Sequence, residues 1–193
     1  MQQRILGIDP GTREVGWAVL EADADGSPVR LASGTMRLGS SKVAVPERLQ
    51  KLREGLQALA QQHRPQQLIL EAAFFGKNAR SALRIGEARG VVMVTCAEAG
   101  MAITELPPAV VKRRIAGTGA ATKEQMARLV AMRLGLAEDH NFATFDESDA
   151  LAVAMCGLDL QQRALTVPGF TATDGSAKRK SKAIDLPPGA SLQ

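Results

Sequence analysis

Cysteine is scarce in this sequence. Among 193 residues only Cys96 and Cys156 occur, each inside an apolar stretch that reads as helix interior. That placement favours small buried side chains over a disulfide or a metal pair. Long apolar runs are missing too, none approaching the roughly 20 residues a membrane helix needs. Met1 to Arg4 leads straight into a strand-like segment instead of a signal-peptide core. A soluble, cytoplasmic protein with no membrane partner is therefore expected. Basic excess is slight: the net charge is +4, weak support for an acidic partner, and part of it lies in Lys178-Arg179-Lys180-Ser181-Lys182. No internal repeat is visible.

What the sequence does have is 45% hydrophobic residues, enough to fold one domain of ordinary size. Ile5-Leu6-Gly7-Ile8-Asp9 reads as a buried strand, Pro10-Gly11 as a turn, and Val15 to Leu20 as the returning strand of a hairpin. Pro28 to Met36 reads as a third strand. Pro46 opens a helix whose Leu49, Leu52, Leu56 and Leu59 form one stripe, ended by Arg64-Pro65. Gln67 to Glu71 is a compact strand, and a long helix follows from about Asn78 to Ala97. Ala102 to Leu106 is another strand, Ala109 to Ala116 a short helix. Thr122 and Gln125 have capping-box spacing at the head of a helix carrying Met126, Leu129, Val130 and Leu134, with Gly135 as its stop. Asp146-Glu147-Ser148-Asp149 starts the last helix, with Leu151, Val153, Ala154 and Met155 on its apolar face.

The order predicts an α/β fold with a five-stranded mixed sheet, three antiparallel strands and then parallel ones. Residues 1–165 read as the folded domain. From 166 to 193 the composition can supply no core, and a disordered basic tail is expected. In the long helix, Ala79, Ala82, Gly86 and Gly90 make a smooth stripe beside Leu83, Val91 and Val94. It suits either close packing on the protein's own sheet or a two-fold contact between subunits through Ala82, Gly86 and Gly90.

Four acids occupy similar settings. Asp9 and Glu71 end apolar strands, and neighbouring parallel strands would set them side by side at the sheet edge where open α/β folds place their sites. Asp146 and Asp149 are three apart on a helix and share a face. Asp9 also suits a turn, Asp146 an N-cap and Asp149 a first helical turn; Glu71 has few such roles. Carboxylates converging without basic partners repel unless a cation lies between them, and hard oxygen ligands suit Mg²⁺ or Mn²⁺.

Gly7-Ile8-Asp9-Pro10-Gly11-Thr12 with Gly16, Leu70-Glu71, Phe74-Phe75-Gly76-Lys77-Asn78-Ala79 with Ser81-Ala82-Leu83 and Ala88-Arg89-Gly90, and Asp146-Glu147-Ser148-Asp149-Ala150-Leu151-Ala152 together resemble the RuvC family of bacterial Holliday junction resolvases. The resemblance runs from about Ile5 to Leu158. It implies an RNase H-like fold with helices on both faces of the sheet, and a homodimer. It also implies paired symmetric nicks in four-way junction DNA with 5′-phosphate and 3′-hydroxyl ends, and cooperation with the RuvA–RuvB branch-migration complex. Asp9, Glu71, Asp146 and Asp149 fall on the family's metal-ligand positions, for two Mg²⁺ per site with Mn²⁺ as a substitute. Phe74 falls on the aromatic that stacks on junction bases, with Phe75, Lys77 and Arg80 beside it as DNA-binding candidates. Lys112 and Lys123 fall on basic positions near the scissile phosphate. Without the resemblance, Phe74 reads equally as a core side chain and the two lysines as solvated. Two departures stand out: Glu147 replaces a small residue and is a potential competitor for the cation, and Thr12 replaces Ser.

The alternative within the same fold is a catalytically inactive junction-binding protein, which the four intact acids oppose. The first turn also resembles the phosphate turn of actin, Hsp70 and sugar kinases. That architecture needs a second domain and a second turn, and the chain is too short for both.

Overall fold

The computed structural model describes residues 3–72, 79–137 and 140–166. Its centre is one sheet in the order β3-β2-β1-β4-β5. The strands are β1 (Ile5–Asp9), β2 (Glu14–Ala22), β3 (Pro28–Arg37), β4 (Gln67–Glu71) and β5 (Ala102–Leu106). β1 pairs antiparallel with β2, and β2 with β3; β1 pairs parallel with β4, and β4 with β5. This is the mixed sheet of the RNase H-like expectation. Five helices surround it: α1 (Val45–His63), α2 (Ala79–Glu98), α3 (Pro108–Ala116), α4 (Lys123–Arg133) and α5 (Phe145–Thr166).

Strand alternation divides the core in two. Leu6 and Ile8 of β1, Val15 and Val19 of β2, and Leu68 and Leu70 of β4 meet Leu52, Leu56 and Leu59 of α1 and Ala88, Val92 and Cys96 of α2. Ile5, Ala18, Leu20 and Ile69 point the other way, into α3, α4 and α5. Side chains on both faces of β1 and β4 are therefore apolar, which is why these strands read as continuous runs. Each fully buried Leu or Ile contributes about 1.5–3 kcal/mol. α1 stops where Arg64 turns left-handed, φ 49°, just before Pro65. α4 starts with the expected reciprocal cap between Thr122 and Gln125.

α5 differs from its sequence reading. Every residue from Ala150 to Leu158 is buried, not one face alone, because α3 and α4 pack over the side turned away from the sheet. It approaches the sheet closely through glycines. A Cβ on Gly7 would lie 2.5 Å from the Ala150 carbonyl oxygen, and one on Gly16 only 1.8 Å from that of Asp146. Cys96 and Cys156 are free and buried on opposite faces of the sheet. Burial pushes each thiol up to about 12, consistent with packing rather than chemistry.

Candidate active site

The alternation that builds the core also builds an acidic cluster. Ile5, Gly7 and Asp9 occupy the face of β1 toward α5, and Ile69 and Glu71 the same face of β4. The parallel register pairs Ile8 with Leu70, so Asp9 and Glu71 emerge side by side at the carboxyl edge. Across the hairpin Asp9 faces Gly16. With no side chain there, the first turn of α5 sits directly against β2, and the Asp146 main chain occupies the space a Cβ would take. Asp146, Asp149, Ala150, Val153, Ala154 and Gly157 follow helical spacing, so the two acids open the stripe with which α5 packs on the sheet.

Glu71 is held through its backbone. Ala72 N–H donates to the Leu106 carbonyl at 2.8 Å. Arg89, 7% exposed, donates to the Glu71 carbonyl and, at 2.5 Å, to the Glu105 carboxylate. The sequence motif contained Arg89 without disclosing this role, since its partners lie on two different strands. The α5 start is fixed from β3: Thr144 caps the helix by accepting from Glu147 N–H at 3.2 Å, and its hydroxyl meets that of Thr35 at 2.6 Å. Asp146 is thus a first-turn residue and not the N-cap. Glu147 is turned away from the acids. One carboxylate oxygen accepts from Ser33 at 2.7 Å and the other from Ala143 N–H at 3.3 Å, so both are engaged outside the acid cluster.

Electrostatics couple the four acids. Burial, the charges of Glu71, Asp149 and Asp146, and a hydrogen bond with Glu71 push Asp9 up to about 8. Glu71 is raised by burial and by Asp149, against the lowering effects of its Asp9 hydrogen bond, Lys123 and Lys112. Burial also raises Asp146, against Lys123. Asp9 therefore keeps its proton at neutral pH and shares it in a hydrogen bond with Glu71. Lys123 donates to Asp149 at 3.0 Å. Burial would lower its pKa, but Asp149, with Asp9 and Asp146, more than offsets this and raises it. Lys112 donates to the Ala121 carbonyl at 2.9 Å, tying down the loop between α3 and α4.

All four acids offer hard oxygen donors under mutual repulsion, a set suited to a small divalent cation. Among the described residues no three of them are drawn into a cation-sized cage; the Asp9 proton and the charges of Lys123 and Lys112 act against their repulsion. Phe74, Phe75 and Lys77 lie outside the described residues, as does the Arg80 side chain.

Comparison with known proteins agrees with the sequence resemblance. The family model described as crossover junction endodeoxyribonuclease RuvC matches residues 5–157. The protein of that name from Chloroflexus aggregans is 42% identical over 153 residues, 79% of this chain and 91% of its own. The one from Pseudomonas putida strain GB-1 is 41% identical over 182 residues, 94% of this chain and 98% of its own. Thermus thermophilus RuvC, solved in complex with Holliday junction substrate, superposes with a TM-score of 0.72 at 29% identity, covering 80% of this chain and 92% of that one.

Proposed function

The chain belongs to the RuvC family of crossover junction endodeoxyribonucleases, and from that premise we propose that it resolves four-way DNA junctions by paired, symmetric nicks. The observation that carries the reading is the carboxylate cluster at one sheet edge, with Asp9 pushed up to about 8 by burial and by its acidic neighbours. The same acidic neighbours that favour a proton on Asp9 favour a cation, which displaces that proton when it binds. Asp9, Glu71, Asp146 and Asp149 would hold two Mg²⁺, with Mn²⁺ able to substitute. When bound, such ions lower the pKa of the attacking water and stabilise the leaving 3′ oxygen, giving 5′-phosphate and 3′-hydroxyl ends.

The residues of the chain do the positioning. Arg89 fixes the Glu71 main chain, and Gly16 lets α5 bring Asp146 over Asp9. Lys123, released from Asp149 when a cation takes up that charge, would be free to meet a phosphate oxygen. Phe74, Phe75, Lys77, Arg80 and Lys112 are proposed as further DNA contacts on family grounds. Junction resolution needs two cuts, hence a homodimer. The α2 face is suited to it: Leu83 and Val94 are 65% and 57% exposed. Among the described residues, Cβ atoms on Gly86 and Gly90 would meet nothing within 4 Å. The two glycines therefore do not pack on the protein's own sheet. Cytoplasmic cooperation with RuvA–RuvB is proposed on family membership alone.

The test is cleavage of synthetic four-way junctions with Mg²⁺ and with Mn²⁺. Asp9→Asn and Glu71→Gln are expected to lower cleavage by at least a thousandfold while junction binding persists. Cleavage retained by either variant overturns the site assignment. A wild-type chain that binds junctions of many sequences without cutting them would establish the inactive binder.

A further inference from the structure

Next to the acidic cluster, a cleft of about 680 Å³ opens between the β1–β2 turn and the end of β3. Asp146 lines this cleft, and its charge also acts on Asp9. Asp146 is therefore common to the acidic cluster and the cleft, and a strand lying across the acids would meet the cleft next. Resting on the junction-nuclease reading, we propose that the cleft seats the backbone phosphates immediately beside the scissile one, with Arg13 and Arg37 as their ligands.

The two arginines have charge to spare. Among the described residues the Arg13 side chain has no hydrogen-bond or ion-pair partner, and it is exposed. Arg37 is 81% exposed, its one ionic contact a 3.7 Å approach to Glu14, too long and too solvated to hold it. Their backbones, by contrast, are fixed. The Arg13 carbonyl accepts from Leu38 N–H at 2.8 Å, and Glu14 lies opposite Arg37 in the β2–β3 register. From α1, Arg48 donates to the Thr12 carbonyl at 2.5 Å, anchoring the turn itself. Two exposed cationic side chains on hydrogen-bonded stems, in a cleft lined also by Gly11, Thr12, Gly39 and Ser40, suit a polyanion better than a small neutral ligand. A phosphate is a better partner for Arg37 than Glu14 at that distance, because a bidentate guanidinium contact is both shorter and geometrically matched. Glu14, the one acid of the cleft besides Asp146, then acts against the bound strand and sets an upper limit on its affinity.

The experiment reads binding, not turnover. A synthetic four-way junction is titrated onto the full chain carrying Asp9→Asn, so that no strand is cut, over a range of salt concentrations. Each phosphate contact contributes about 0.7–0.9 to the slope of log affinity against log salt. Arg13→Ala and Arg37→Ala together are expected to lower that slope by about 1.5, and Glu14→Gln to tighten binding several-fold. Neutral methylphosphonates placed singly along the cut strand should weaken binding to Asp9→Asn beside the scissile position, and should weaken the triple variant there far less. Unchanged thermal midpoints show that the variants are folded. An unaltered salt slope, or a sensitivity that maps away from the scissile position, overturns the proposal while wild-type junction cleavage leaves the nuclease reading standing. Failure of the wild-type chain to cut junctions overturns that reading itself.

Discussion

Asp9, pushed up from 3.8 to about 8, keeps at neutral pH a proton that a free aspartate releases four units lower. The sign of its effect on stability follows by linkage. The folded chain binds this proton more tightly than the unfolded chain, so the favourable contribution is complete below about pH 4 and is lost as the pH rises through about 8. Glu71 and Asp146 are displaced in the same direction. With a chelator present, the thermal midpoint of the wild type minus that of Asp9→Asn should therefore fall steadily from about pH 4 to about pH 8, and saturating Mg²⁺ should flatten the fall. A difference that rises with pH would contradict the shared-proton picture. At this scale the sequence was partly legible. Glu71 announces itself because an acid ending an apolar strand has few neutral explanations, whereas Asp9, beside Pro10-Gly11, reads equally as turn chemistry until Glu71 is set beside it. Glu147 and Arg89 do not, because their meaning lies in Ser33, Ala143, Glu105 and the Glu71 carbonyl, which are distant along the chain.

Among the elements, β4 and β5 match their sequence limits: β4 is a Leu-Ile-Leu core closed by Gln67 and Glu71, and β5 lies between Gly100 and Pro107. α5 was legible as a helix but not as one buried on every side, since residues such as Ala150, Ala152 and Ala154 give no directional signal by size or polarity. The contact that matters most for it is at Gly16. Gly16→Ala places a methyl carbon 1.8 Å from the Asp146 carbonyl oxygen, a backbone atom that cannot step aside alone. The expected cost is about 1–3 kcal/mol in urea unfolding. Junction cleavage should fall by more than that loss of folded protein accounts for. Equal losses in the two measurements would mean that α5 does not set the acid geometry. On α2 the reverse logic applies, since Gly90 is exposed and leucine favours a helix by about 1 kcal/mol over glycine. Gly90→Leu should leave the monomer at least as stable and yet sediment as a monomer under conditions in which the wild type is expected to sediment as the proposed dimer; an intact dimer in the variant would move the interface elsewhere.

For the molecule as a whole, the division into a nuclease domain over residues 1–165 and a basic tail over 166–193 remains a proposal, and truncation after Val167 tests it. The shortened chain should keep its thermal transition and its nicking activity; loss of the transition would assign the tail a part in the fold. The overall architecture was readable because strand runs, caps and helix stripes agree with one another along the chain. What the sequence could not supply is the meeting of the sheet edge with the start of α5, a matter of two glycine positions and a register. That meeting also orders events in time. α5 is the last of the ten elements among the described residues, and chains emerge from the ribosome amino end first. A growing polypeptide therefore carries Asp9 and Glu71 long before Asp146 and Asp149 exist beside them. Until α5 docks, one face of the sheet stays open and the acid set is half complete, so on the proposed site assignment an unfinished copy would lack the means to cut DNA.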